Sequence, residues 1–277
     1  MEKTLSFECK GRMIGLADDI VYMQKMFWCN ASARQLHMSV MKPRHYFPYD
    51  PVGTYPVIVF LCGGAFQKCD RNVWMPNLAF FAERGYCVVS VEYSTLAYTE
   101  FPEQIKEIKA AIRFLRAHAE EFSIDPEHIA IMGESAGGYL AALAAVSNGF
   151  GDYEEGENLD QSSSVQAAIP LYPVTYMNRS GKPQGKTYDP IRIRTDNMPD
   201  LTDFVDGTEP PIALFHGTGD VQVSCEHSKR LYDKLIAAGD RTELYLIEGA
   251  GHADRMFVEP CVKEIMLQFL DEAFGRG

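Results

Sequence analysis

No apolar run in this 277-residue chain approaches the roughly 20 residues that a membrane-spanning helix needs. The N-terminal stretch "MEKTLSFECKGRMIG" likewise lacks the apolar segment of a secretory signal. Positive charge is in deficit: 26 Lys and Arg face 38 Asp and Glu, a net charge of -12. Phosphate binding needs a basic face, so nucleic acid is excluded as the main partner. The seven cysteines are odd in number, scattered and without a C-x-x-C pair. A disulfide framework and a zinc site are therefore not expected, no metal is called for, and a reducing, cytoplasmic setting is the simpler reading. Internal repeats and low-complexity tracts are missing as well.

What is present is alternation. Short apolar runs alternate with amphipathic stretches, the pattern of an α/β protein with a mostly parallel sheet flanked by helices. "YPVIVFLCGG", "GYCVVSVEY", "HIAIMG", "VQAAIPLYP", "PPIALFHGTGD" and "TELYLIEGAGH" read as six strands, each closed by Gly, Pro or a polar residue. Continuous apolar runs of this length suit strands buried on both faces. "ADDIVYM" and "QLHMSVMKP" alternate instead, which suits antiparallel pairing at a sheet edge. "PEQIKEIKAAIRFLRAHAEEF" puts Ile105, Ile108, Ile112 and Leu115 on one helical face. "SCEHSKRLYDKLIAAGD" offers a serine cap and closes near Gly239, and "VKEIMLQFLDEAF" makes a terminal helix.

Two stretches break the alternation: the acidic Ser147–Ser164 and the long irregular Met177–Pro210. Long irregular loops in compact α/β domains are often lids or binding loops. The expectation is one domain over 1–277, with 177–210 as a lid-like insertion above the active site. Arg179, Lys182, Lys186, Arg192 and Arg194 fall inside that insertion, against a single acidic residue before Asp196. An ordinary solvated loop carries such a run too. The sharper reading is that Arg192 and Arg194 meet an anionic group on the substrate.

The chemistry centres on Gly133-Glu134-Ser135-Ala136-Gly137, a G-x-S-x-G match. A strand precedes it and the small-residue helix "YLAALAAV" follows. A tight turn needing small residues would carry the same motif. The strand-to-helix context favours a serine whose Oγ is lifted clear of the sheet as a nucleophile. Such a serine needs a base. Of the seven histidines, only His252 in "EGAGHAD" sits at a strand's carboxyl end downstream of an acid candidate. That acid is Asp220 in "FHGTGDVQVS", with Asp206 and Glu248 as rivals. An acid there would orient the imidazole and stabilise its charged form. The order Ser135, Asp220, His252 is that of α/β-hydrolases. The glycine turn in "FLCGGAF", joined by the N–H of Ala136, falls where that fold keeps its oxyanion donors.

From Pro56 to the C-terminus, about four-fifths of the chain, the sequence resembles α/β-hydrolase esterases related to the hormone-sensitive lipase group. It is most similar to small bacterial carboxylesterases that include feruloyl and acetyl-xylan esterases. The resemblance rests on "LCGGAF", "VEYSTLAYTEFPEQIKEIKAAIRFLRAHAEEFSIDPEHIAIMGESAGG", "YPVT", "LFHGTGDVQV" and "LIEGAGH". It implies a triad of Ser135, Asp220 and His252, oxyanion donors at Gly64, Ala65 and Ala136, and no cofactor. It also implies small-molecule or carbohydrate ester substrates, acetyl or feruloyl esters of plant carbohydrates among them. Such proteins usually have histidine where this chain has Cys62, which reads here as a buried packing residue. An amidase or formamidase of the same fold, and a non-catalytic binding module, are the alternative functions.

Overall fold

The computed structural model describes residues 2–6, 12–27, 32–44, 53–177 and 197–276. Its eight strands and six helices run β1 (Ile14–Phe27), β2 (Ser32–Pro43), β3 (Tyr55–Leu61), α1 (Met75–Glu83), β4 (Cys87–Val91), α2 (Glu103–Ala117), α3 (Ala119–Phe122), β5 (Ile124–Glu134), α4 (Ala136–Val146), β6 (Ala167–Leu171), β7 (Ile212–Gly217), α5 (Glu226–Ala238), β8 (Thr242–Ile247) and α6 (Pro260–Ala273). The strands form one sheet in the order β1-β2-β4-β3-β5-β6-β7-β8. β1 and β2 pair antiparallel with each other, and β2 with β4. From β4 to β8 every pairing is parallel. The six parallel strands and the antiparallel edge therefore lie where the apolar runs and the alternating segments put them.

β4, β6 and β7 are buried at every residue, because helices cover both faces. β8 closes the far edge and is only half covered. α4 is buried along its whole length. Its small residues permit this: a Cβ on Gly138 would come within 2.8 Å of the Leu171 carbonyl oxygen. α5 ends on Gly239 at φ 96°, with Asp240 N–H donating to the Leu235 carbonyl and Gly239 N–H to that of Ile236. That left-handed cap is where glycine carries no Cβ penalty.

The acidic segment 147–164 is a strap over α2. Lys109 and Arg113 have fully buried side chains. Lys109 Nζ donates to the Ser147 carbonyl at 2.9 Å and lies 3.2 Å from both Glu154 Oε1 and Ser163 Oγ. Arg113 binds Glu154 and the carbonyls of Glu155 and Glu157. Of the 177–210 insertion, residues 178–196, with Arg192 and Arg194, lie outside the described residues. Residues 197–210 pack into the body: Met198 and Leu201 are buried, the Tyr139 hydroxyl donates to the Pro199 carbonyl at 2.9 Å, and Leu201 N–H donates to that of Thr175. Met198, Leu201 and Val205 tie this part of the insertion to the body, while Asp203 and Asp206 to Thr208 stay exposed.

Candidate active site

The carboxyl ends of β3, β5, β7 and β8 converge on one edge of the parallel sheet. Ser135 stands at the turn from β5 into α4, with φ 54° and ψ −114°. Only glycine adopts this conformation at ease, so the turn holds strain. It is enforced locally: Ser135 N–H donates to the Leu171 carbonyl at 2.9 Å, and Tyr139 N–H to the Ser135 carbonyl at 2.9 Å. A side chain on Gly133 would strike the Gly137 carbonyl, and one on Gly137 would strike the carbonyls of Leu61 and Cys62. The two motif glycines are thus sites of close backbone approach.

Ser135 Oγ lies 2.8 Å from His252 Nε2. His252 Nδ1 lies 2.6 Å from Asp220 Oδ2. The three side chains form one hydrogen-bonded row built from the ends of three strands. His252 keeps 10% of its side chain exposed, whereas the Asp220 side chain is fully buried. The Tyr172 ring meets the imidazole edge-on, with centroids 4.9 Å apart. Asp220 Oδ1 accepts the N–H groups of Gln222 at 2.8 Å and Val223 at 2.9 Å. Burial by itself would raise the Asp220 carboxyl. His216, His252 and the Val223 N–H outweigh it and hold the group well below the usual carboxylate range. His216 Nε2 is 3.5 Å from Asp220 Oδ2 but 2.9 Å from the Val223 carbonyl, its better partner. The two ring nitrogens of His252 go to Ser135 and Asp220, not to either rival acid. Asp206 is exposed and caps its own turn, accepting from Thr208 Oγ1 at 2.7 Å, and Glu248 is exposed on the loop after β8.

The loop after β3 carries Gly64 at φ 128° and Ala65 at φ 52°, both exposed. Tyr93 donates its hydroxyl to the Cys62 carbonyl at 2.7 Å, and Gly63 N–H donates to Glu134 Oε1. The Gly64 carbonyl accepts from Gln67 N–H at 2.9 Å and Lys68 N–H at 3.2 Å. Ala136 opens α4, where the helix dipole favours negative charge. Two features of this loop escaped the reading of the sequence. Glu134 fills a position that the G-x-S-x-G motif leaves open to any residue. Cys62 is buried as expected, yet its Sγ is 3.2 Å from Cys69 Sγ. The spacing of the pair across a glycine turn was the available signal. Among the described residues, no group of three or more His, Cys, Asp or Glu is arranged to hold a metal.

A mostly parallel, helix-flanked sheet with Ser135 after β5, Asp220 after β7 and His252 after β8 is an α/β-hydrolase. The family model described as BD-FAE matches residues 45–235, well over half of the chain, and the chain belongs to that family. It is 29% identical over 209 residues to the probable carboxylic ester hydrolase LipM of Mycobacterium tuberculosis, a match covering 71% of this chain and 48% of that protein. It is 26% identical over 257 residues to the isoprenylcysteine alpha-carbonyl methylesterase ICME of Arabidopsis thaliana, covering 82% and 59% respectively. The chain spans about half the length of the curated relatives it matches. Among solved structures it is similar to the thermophilic esterase Est2 of Thermogutta terrifontis, with a TM-score of 0.74, 26% identity, and coverage of 95% of this chain and 92% of that one.

Proposed function

We propose that this protein is a serine carboxylesterase that cleaves small carboxylic esters through an acyl-enzyme on Ser135. The observation that carries the reading is the row from Ser135 Oγ through His252 to Asp220, with spacings of 2.8 and 2.6 Å. His252 Nε2 takes the Ser135 proton as Oγ attacks the ester carbonyl, then gives it to the leaving alcohol. Water repeats the cycle on the acyl-enzyme. Asp220 holds Nδ1 protonated and stabilises the imidazolium, a role suited to a buried carboxylate whose ionised form is favoured. The N–H groups of Gly64, Ala65 and Ala136 take up the charge that develops on the carbonyl oxygen, and losing one such donor costs on the order of 100-fold or more in rate.

A fluorophosphonate probe should label Ser135 alone, which a non-catalytic module would not allow. Faster turnover of p-nitrophenyl acetate than of the matching anilide separates the esterase from an amidase. Asp220→Asn should cut kcat far more than it changes KM. If Asp206→Asn or Glu248→Gln were the damaging change instead, the acid assignment fails. Acetyl and feruloyl esters of plant carbohydrates are the substrates to try first, on the sequence resemblance. Within that class, Arg192→Ala together with Arg194→Ala should raise KM for an acidic ester and spare a neutral one, with the difference shrinking at high salt. Equal effects on both substrates would return the pair to an ordinary loop.

A further inference from the structure

The loop that carries Gly64 and Ala65 begins and ends on a thiol. Cys62 is buried at its start and Cys69 half-buried at its end, with the two sulfurs 3.2 Å apart. A disulfide needs them at about 2.05 Å, so closure asks for an approach of about 1.1 Å. The Cys62 end cannot supply it easily. Its carbonyl is held by the Tyr93 hydroxyl, and the next N–H, that of Gly63, is held by the buried carboxylate of Glu134. The movement therefore falls on the Cys69 end. There Lys68 N–H is bonded to the Gly64 carbonyl, and a Cβ on Gly64 would strike the Lys68 carbonyl, so displacement of this end reaches Gly64 directly.

We propose that Cys62 and Cys69 form a reversible disulfide that closes the oxyanion loop and slows turnover, a redox-sensitive modification site beside the triad. The bond itself rests on the two sulfurs. Its effect on rate rests on the assignment of Gly64 and Ala65 as oxyanion donors. The oxidant is a low-molecular-weight disulfide. Cys69, the accessible thiol, gives up its proton, bonds to one sulfur of that molecule and expels the other as a small thiolate, which takes up that proton. Cys62 then attacks Cys69 Sγ, its proton passing to the second departing thiolate. Two protein thiols lose two electrons and two protons, and the small disulfide becomes two thiols. The order follows from the Cys62–Cys69 contact and from burial, which together push the Cys62 thiol up and make it the weaker first attacker.

The test uses glutathione disulfide on the folded full chain. Trypsin cuts between the two cysteines, after Lys68, so the oxidised protein should yield peptide 45–68 joined to peptide 69–71, and dithiothreitol should separate them. Oxidation should lower kcat on p-nitrophenyl acetate about tenfold and leave KM within about twofold, because misplacing a catalytic group by about 1 Å weakens the transition state more than binding. Dithiothreitol should restore the rate. Cys69→Ser should turn over like the reduced protein and ignore glutathione disulfide. A mixed disulfide with glutathione as the sole product at Cys69, or labelling of the exposed Cys261 with the pair untouched, would overturn the bond. A joined peptide with unchanged kcat, or an equal loss of rate in Cys69→Ser, would overturn the switch. A reduced protein inactive on every ester would sink the esterase reading, and the peptide map would still decide whether the bond forms.

Discussion

Glu134 accepts the backbone N–H of Gly63, so the residue preceding Ser135 is bonded to the loop that carries Gly64 and Ala65. The contact leaves no room at position 63: a Cβ there would lie 2.6 Å from Glu134 Oε2. Burial raises the Glu134 carboxyl above its usual range, and the Gly63 N–H works against that shift. Two segments 71 residues apart are thus held at one spacing by one buried side chain.

This makes Glu134 a positioning residue with a kinetic signature. Glu134→Ala frees the Gly63 N–H and the loop behind it, and should lower kcat on the order of 100-fold with KM within about twofold. Glu134→Gln keeps an oxygen that can accept the N–H and should lie within about tenfold of the native rate. Steady-state kinetics on one activated ester decide the matter. An unchanged kcat in Glu134→Ala, or a loss confined to KM, would show that the contact is merely structural.

Ser135 links reactivity to strain. With φ 54° and ψ −114°, it occupies a region that costs a non-glycine residue roughly 1–3 kcal/mol. Ser135→Ala should keep the fold and less than about a hundredth of the activity. Ser135→Gly should be as inactive and yet more stable than the native protein by about 1 kcal/mol, since the strain is relieved and glycine's extra unfolded-state freedom offsets only part of the gain. Denaturant titration reads this directly. A Ser135→Gly protein less stable than Ser135→Ala would mean that the turn is not strained.

How much of this was legible in sequence follows from the range of the forces. β3, β4, β5, β6 and β7 are local apolar runs with polar or glycine ends, and they read true. Ser135, Asp220 and His252 come together at 2.8 and 2.6 Å because each sits in the turn or loop that follows a strand. α1 was missed. Its "MPNLAFFAE" is apolar on most sides and has no polar face to mark a helical period. Glu134 with Gly63, Cys62 with Cys69, and Lys109 with the 147–164 strap were illegible for another reason. Each is a tertiary contact between residue types that ordinarily read as a motif filler, core material and a solvated charge.

The strap gives a stability prediction. Glu154 is bonded to both Lys109 and Arg113, whose side chains are fully buried while its own is 27% exposed. Removing one partner of a buried ion pair typically costs 3–5 kcal/mol, because the charge left behind is uncompensated. The partial exposure of Glu154 reduces this, so Glu154→Ala should destabilise by about 2–3 kcal/mol. Glu155→Ala is the control, since its pairing with Lys106 is largely solvated and should be worth less than about 1 kcal/mol. Equal losses in the two variants would mean that the buried cations find other partners.

His227 sets an acid limit on the fold. It is fully buried, stacked on Tyr176 with centroids 4.3 Å apart, and its Nδ1 accepts the Thr175 N–H at 3.2 Å. Burial first, then the electrostatic influence of His216 and Arg230, push its pKa down to about 4, against the opposing pull of Asp200 and Asp220. The unfolded chain therefore binds a proton at this residue between about pH 6.5 and pH 4 that the native protein does not. Stability is full above that window and falls as pH drops through it. Each pKa unit is worth about 1.4 kcal/mol, so the loss should be on the order of 2–3 kcal/mol by the bottom of the window. His227→Gln can still accept the Thr175 N–H through its amide oxygen and has no proton to gain. Its stability should be flatter over the same range, whatever its value at neutral pH. Urea titrations of both proteins at about pH 7 and about pH 4 compare the two slopes directly. Parallel losses would move the acid sensitivity from His227 to another group.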